Sequence, residues 1–218
     1  MQIYPFRTNS GQINMDIDAE ILETSIANGA EDAVFRLYAW SPACVSLGRN
    51  QDDSFLDKEF LRSHNIDVVR RLTGGRALLH DNEITYSFVC PVSYLENGEH
   101  IVSSYKEISQ ILIDKFKQLG IDLDFGTSKP VKTGFDYCML ISTGADLCYN
   151  NRKLIGSAQC RKNGYILQHG SILYDCDKSL LETVFGEKVS CDDIITIKEI
   201  NPELTKEKII EILSTVGL

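Results

Sequence analysis

From Lys153 to Asp175 the sequence reads KLIGSAQCRKNGYILQHGSILYD. Asn163-Gly164 is its decisive dipeptide, because both central residues of a tight type I′ hairpin turn need positive φ. A two-residue turn there sets Ala158 opposite His169, Gln159 opposite Gln168, Ser157 opposite Gly170 and Lys153 opposite Tyr174. Strand alternation then points Lys153, Ser157, Gln159 and Gln168 to one side. Further strands are expected over Ala33–Trp40, Cys44–Leu47, Asp67–Arg71, Arg76–Leu79 and Ile84–Cys90. Helical spacing runs through Asp16–Asn28, about Phe55–Ser63, Val102–Leu119 and about Thr205–Val216, with Gly29, Gly120 and Gly217 as stops. Strands outnumber helices and arrive in consecutive hairpins, so the expected class is α+β, a mixed or antiparallel sheet flanked by helices.

Composition narrows the function. The 218 residues carry 22 basic and 31 acidic side chains, a net charge of −9. That balance argues against nucleic-acid or membrane-surface binding, which draw on summed positive charge. No run approaches the ~18 apolar residues of a membrane span, and MQIYPFRTNS lacks a signal-peptide pattern, so a soluble cytoplasmic protein is expected. Seven scattered cysteines without a C-x-x-C pair fit a reducing compartment and no metal site. No linker or repeat divides the chain, which reads as a single domain over 1–218.

Two segments carry candidate chemistry. Arg70-Arg71-Leu72-Thr73-Gly74-Gly75-Arg76 joins two strands through a double glycine, whose amides can approach an anion or carbonyl closely. On generic grounds the same segment reads as a Gly-Gly hairpin with exposed arginines. In the second segment, Lys153 on a strand can bind a carbonyl oxygen or lower the pKa of a nearby thiol. His80 with Asp81 reads equally as an acid–base pair and as a turn, while for His169 a buried structural histidine is a commoner reading than a catalytic base.

Taken together, RRLTGGRALLHDNEITYSF (residues 70–88) and KLIGSAQCRKNGYILQHGSILYD resemble the two motif blocks of the biotin/lipoate protein ligase and octanoyltransferase superfamily. Ser46-Leu47-Gly48-Arg49-Asn50-Gln51 is similar to a lipoate-ligase strand end. The resemblance implies a ligase catalytic-domain fold of the class II synthetase kind, with a family-like core over about 33–218. Its cysteine-dependent transferase branch implies octanoyl transfer from octanoyl-acyl carrier protein, through an enzyme thioester, to a lysine of a lipoyl-domain protein. Such acceptors are the glycine-cleavage H protein and the 2-oxoacid dehydrogenase E2 component.

In that branch the cysteine precedes the motif lysine by 15 positions, as Cys138 precedes Lys153 here. Cys138 and Lys153 are therefore the expected catalytic pair. The resemblance implies substrate contacts from Arg70, Arg71, Thr73, Gly74, Gly75, His80, Gly156, Ser157, Ala158, Gln159 and His169. It implies no cofactor; ATP and Mg²⁺ belong to the alternative, an ATP-dependent lipoate ligase. Gly74-Gly75-Arg76-Ala77 followed by His80 and Glu83 resembles the transferase branch, and an end at Leu218 without an accessory domain is expected of it. Ser142–Leu147 departs from the transferase pattern, and Gly48–Gln51 leans toward the ligases. Cys148 competes as nucleophile, since an Asn150-Asn151 turn would set it opposite Lys153. A docking patch for acidic partners is expected at Arg152, Arg161 and Lys162.

Overall fold

The Asn163-Gly164 turn forms, with φ of 49° and 80°. It joins β9 (Arg152–Lys162) to β10 (Tyr165–Leu173) in the expected register, from Tyr165 opposite Lys162 to Ile172 opposite Ile155. Lys153 does not reach Tyr174, because the ladder ends at Ile155 and the strand start turns to another partner. That partner is β8 (Leu147–Tyr149), where a second tight turn, Asn150-Asn151 with φ of 51° and 62°, sets Cys148 opposite Lys153. The computed structural model describes residues 1–126, 146–186 and 194–215.

The large sheet has seven strands. Its order runs from β1 (Gln2–Asn9) through β2 (Val34–Trp40), β6 (Glu83–Pro91), β10, β9 and β8 to β7 (Asp124–Phe125). β1 and β2 are parallel and the other pairs antiparallel, so the sheet is mixed as expected. A smaller sheet places β3 (Cys44–Leu47) between β4 (Asp67–Arg70) and β5 (Leu78–His80). β4 runs parallel to β3 and β5 antiparallel to it. Gly74-Gly75 is therefore no hairpin turn: the chain crosses β3 between its flanking strands.

Helices cover both faces of the large sheet. α1 (Gly11–Asn28) ends at left-handed Gly29. α2 (Lys58–Ser63) starts where the Asp57 carboxylate accepts from two backbone amides. α3 (Ile101–Gln118) buries Ile108, Leu112 and Phe116 on one stripe. α4 (Lys178–Phe185), α5 (Ile197–Ile200) and α6 (Lys206–Leu213) complete the chain. The main core lies between the α3 side of the large sheet, the small sheet and these last helices. The α1 side carries instead a separate small apolar cluster of Met15, Tyr38, Trp40, Cys44 and Val69.

Candidate active site

Alternation along β9 and β10 divides the second motif between two faces. Gln159 and Gln168 point to α3, where Gln159 bonds the Ser104 hydroxyl and donates to Gln168 Oε1 at 3.0 Å. Gln168 donates to the Tyr86 hydroxyl at 2.9 Å, and that hydroxyl lies 2.7 Å from Ser157 Oγ. Burial drives the Tyr86 phenol up to about 12. His169 points the opposite way, toward α1. There a partly open cavity is bounded by α1, the small sheet and the large sheet. Trp40, Arg71, His80 and His169 line it, together with the Gly156–Ala158 stretch of β9.

Two histidine chains converge there on one arginine. Along the first, Asp18 Oδ2 lies 3.4 Å from His169 Nδ1, and His169 Nε2 lies 2.7 Å from Thr73 Oγ1. Along the second, Glu83 Oε1 lies 3.1 Å from His80 Nδ1, and His80 Nε2 lies 2.8 Å from Ser46 Oγ. A carboxylate can only accept, so each ring donates from Nδ1, and a neutral ring then accepts at Nε2 from the hydroxyl. Both hydroxyls in turn accept from Arg71, through Nε at 3.1 Å and Nη1 at 3.2 Å.

Burial pushes the His80 imidazole below its ordinary value, against the opposing pull of Glu83, so the ring is neutral near pH 7. Trp40 stacks on it at 3.9 Å between centroids. Burial also pushes the Asp18 carboxyl up, but His169, Arg36 and the Tyr38 hydroxyl together hold it below its ordinary value.

The motif arginines are internal staples. Besides the two hydroxyls, Arg71 donates to the carbonyls of Ser46, Gly74 and Arg76 at 2.7–2.8 Å, so each of its five N–H groups meets a protein acceptor. Arg70 Nη1 reaches the carbonyls of Gly48, Arg49 and Gln51. The two loops touch backbone to backbone: a Cβ on Gly48 would lie 1.8 Å from the Gly75 carbonyl oxygen, and Gly75 has φ of +95°. The two motif loops are therefore in direct contact.

Lys153 lies at the start of β9 with 2% of its side chain exposed, and its Nζ is 3.1 Å from Asp146 Oδ2. It does not line the cavity among the described residues. Cys138 lies outside the described residues. Cys148 is buried opposite Lys153. The expected docking residues are engaged as well: Arg152 with Glu199 at 3.0 Å, Lys162 with Glu23 at 2.5 Å, and Arg161 with the carbonyls of Gly98 and Glu99. Sequence reasoning missed Asp18, Arg36 and Trp40, which carry no motif. Only the polar interruptions on the buried face of α1 hinted at Asp18. Among the described residues, no cluster of His, Cys, Asp and Glu could hold a metal ion, and no helix is long and apolar enough to cross a membrane.

Residues 10–216 match the family model described as the lipoyl protein ligase A/B catalytic domain. The chain belongs to that family. The octanoyltransferase LipM of Clostridioides difficile is 39% identical over 78% of this chain and 64% of its own length. That of Staphylococcus aureus is 38% identical over 79% of this chain and 65% of its own length. The chain thus spans just under two thirds of these relatives. A crystal structure of lipoate-protein ligase A bound with ATP superposes with a TM-score of 0.76 at 19% identity, covering 97% of this chain and 81% of that one. This likeness shows that the lipoyl ligase fold is shared.

Proposed function

We propose that this chain is the catalytic part of an octanoyltransferase of lipoyl biosynthesis. Octanoyl-acyl carrier protein is the donor, the lysine of a lipoyl-domain protein is the acceptor, and no cofactor takes part. The identity of 38–39% to octanoyltransferases over nearly four fifths of the chain carries this reading. The site geometry supports it, because all five N–H donors of buried Arg71 go to protein acceptors rather than to a triphosphate.

In the first half-reaction the Cys138 thiolate attacks the donor thioester carbonyl. The bond to the carrier's sulfur breaks, and the carrier leaves as a thiol after taking up a proton. In the second, the neutral amine of the acceptor lysine attacks the enzyme thioester, an amide forms, and Cys138 regains its thiol. Both tetrahedral intermediates carry an oxyanion that backbone amides and the Lys153 ammonium are suited to stabilise. The acyl chain lies in the cavity beside α1, against the Gly156–Ala158 backbone.

Lys153 is already paired with Asp146, so it offers a thiol an oriented hydrogen-bond donor more than a net positive field. The test is transfer to a lipoyl domain with ATP and Mg²⁺ withheld. Octanoyl-carrier protein should serve as donor and free octanoate should not. Attachment of free octanoate only when ATP is added would replace this reading with that of a lipoate ligase.

A further inference from the structure

Helix α1 supplies one wall of the cavity, and among the described residues Met15 is its only side chain lining that cavity. The helix is pinned on both sides of this residue. One turn before it, Gly11 lies directly on the small sheet, where a Cβ would meet Cys44 Sγ at 2.4 Å and Val69 Cγ1 at 2.9 Å. One turn after it, Asp18 is held by Arg36 at 2.8 Å, by the Tyr38 hydroxyl at 2.9 Å and by His169 at 3.4 Å. A wall fixed at both ends cannot retreat from a longer occupant, so on the α1 side the Met15 side chain sets the clearance. Met15 packs with Tyr38 and Trp40 in a cluster separate from the main core, and so can change without opening that core. An unbranched thioether side chain also conforms well to a flexible alkyl chain.

We propose that Met15 sets the length of acyl chain that the cavity accepts, an inference that rests on the acyl-transfer reading above. A cavity closed by a fixed wall gains about fourfold in affinity for each methylene it buries, then loses affinity once the chain overruns it.

Trp40 is the single tryptophan of the chain and lines the same cavity, so its emission reports occupancy without any turnover. The experiment titrates hexanoate, octanoate, decanoate and dodecanoate into the parent protein and into Met15→Ala, Met15→Phe and Ile13→Ala. The parent should prefer octanoate. Met15→Ala should prefer decanoate by about fifteenfold, as two further methylenes become buried. Met15→Phe should favour hexanoate. Ile13 is 50% exposed on the same helix, and its loss should leave the order unchanged. If the parent binds these acids and both Met15 variants, folded by circular dichroism, keep its order, the length-setting role is wrong while the acyl site stands. If none of the acids perturbs Trp40 in the parent, the acyl site itself is wrong, and the inference falls with it.

Discussion

The ammonium of Lys153 lies 3.1 Å from Oδ2 of Asp146, and the two side chains are only 2% and 3% exposed. Removing one member of such a pair leaves an uncompensated buried charge, which costs about 3–5 kcal/mol. Asp146→Asn should therefore lower unfolding stability by about 3 kcal/mol in urea titrations. The double variant Asp146→Leu with Lys153→Met should recover most of that loss while remaining inactive. A loss below about 1 kcal/mol in Asp146→Asn would mark the pair as no stronger than a surface one.

Arg71 acts through the loop it staples. Lysine keeps the charge but not the planar fork, so Arg71→Lys leaves several carbonyls and hydroxyls without their donor. Thermal and urea unfolding should show a loss of about 3 kcal/mol. Unchanged stability with weakened substrate binding would instead assign Arg71 a direct substrate contact.

At Gly48 the consequence is steric. A methyl group there collides with the Gly75 carbonyl, which is backbone and cannot swing aside. Gly48→Ala should cost about 2–3 kcal/mol and displace the Gly74-Gly75 loop. Retained stability together with retained activity would show that the two loops need not touch.

Stability should fall on acidification in two stages. The folded state holds His80 below its ordinary value of 6.5, so the unfolded chain binds more protons as pH drops below that value, and folding is disfavoured there. Asp18 is also held low, below 3.8, so its contribution is present above that pH and lost as pH falls through its folded value. His80→Asn should flatten the first stage, read as the urea midpoint between about pH 7.5 and 5, and leave the second. An unaltered profile would assign the first stage to another group.

The β9–β10 hairpin was legible because its signal is local: Asn163-Gly164 dictates both turn and register. α3 was legible for the same kind of reason, an apolar stripe of Ile108, Leu112 and Phe116. The first turn of α1 was not, because its buried residues are Gly11, which packs on Cys44 and Val69, and Asn14, which bonds Arg36 and the Ala39 carbonyl, so no apolar stripe marks it. β1 was hidden by Pro5 and by its place at the sheet edge, where the parallel register with β2 shifts between Tyr4 and Arg7. β7 and β8 are two and three residues long, too short for any periodicity to register. The Gly74-Gly75 segment misled because the signal for a tight turn says nothing about which strands it joins. Long-range pairing placed β3 between them. In the site, family motifs located His80, His169 and Lys153. Their partners Glu83, Asp18 and Asp146 became legible as partners only from the fold.

The 15-residue spacing of Cys138 to Lys153 motivates an acyl-enzyme on the Cys138 thiol. Intact-mass and peptide mass spectrometry after mixing with octanoyl-carrier protein, without ATP, tests it most directly. One hydroxylamine-labile octanoyl adduct is expected on Cys138, absent from Cys138→Ala although six other cysteines remain. An adduct on Cys148, or none without ATP, would contradict it.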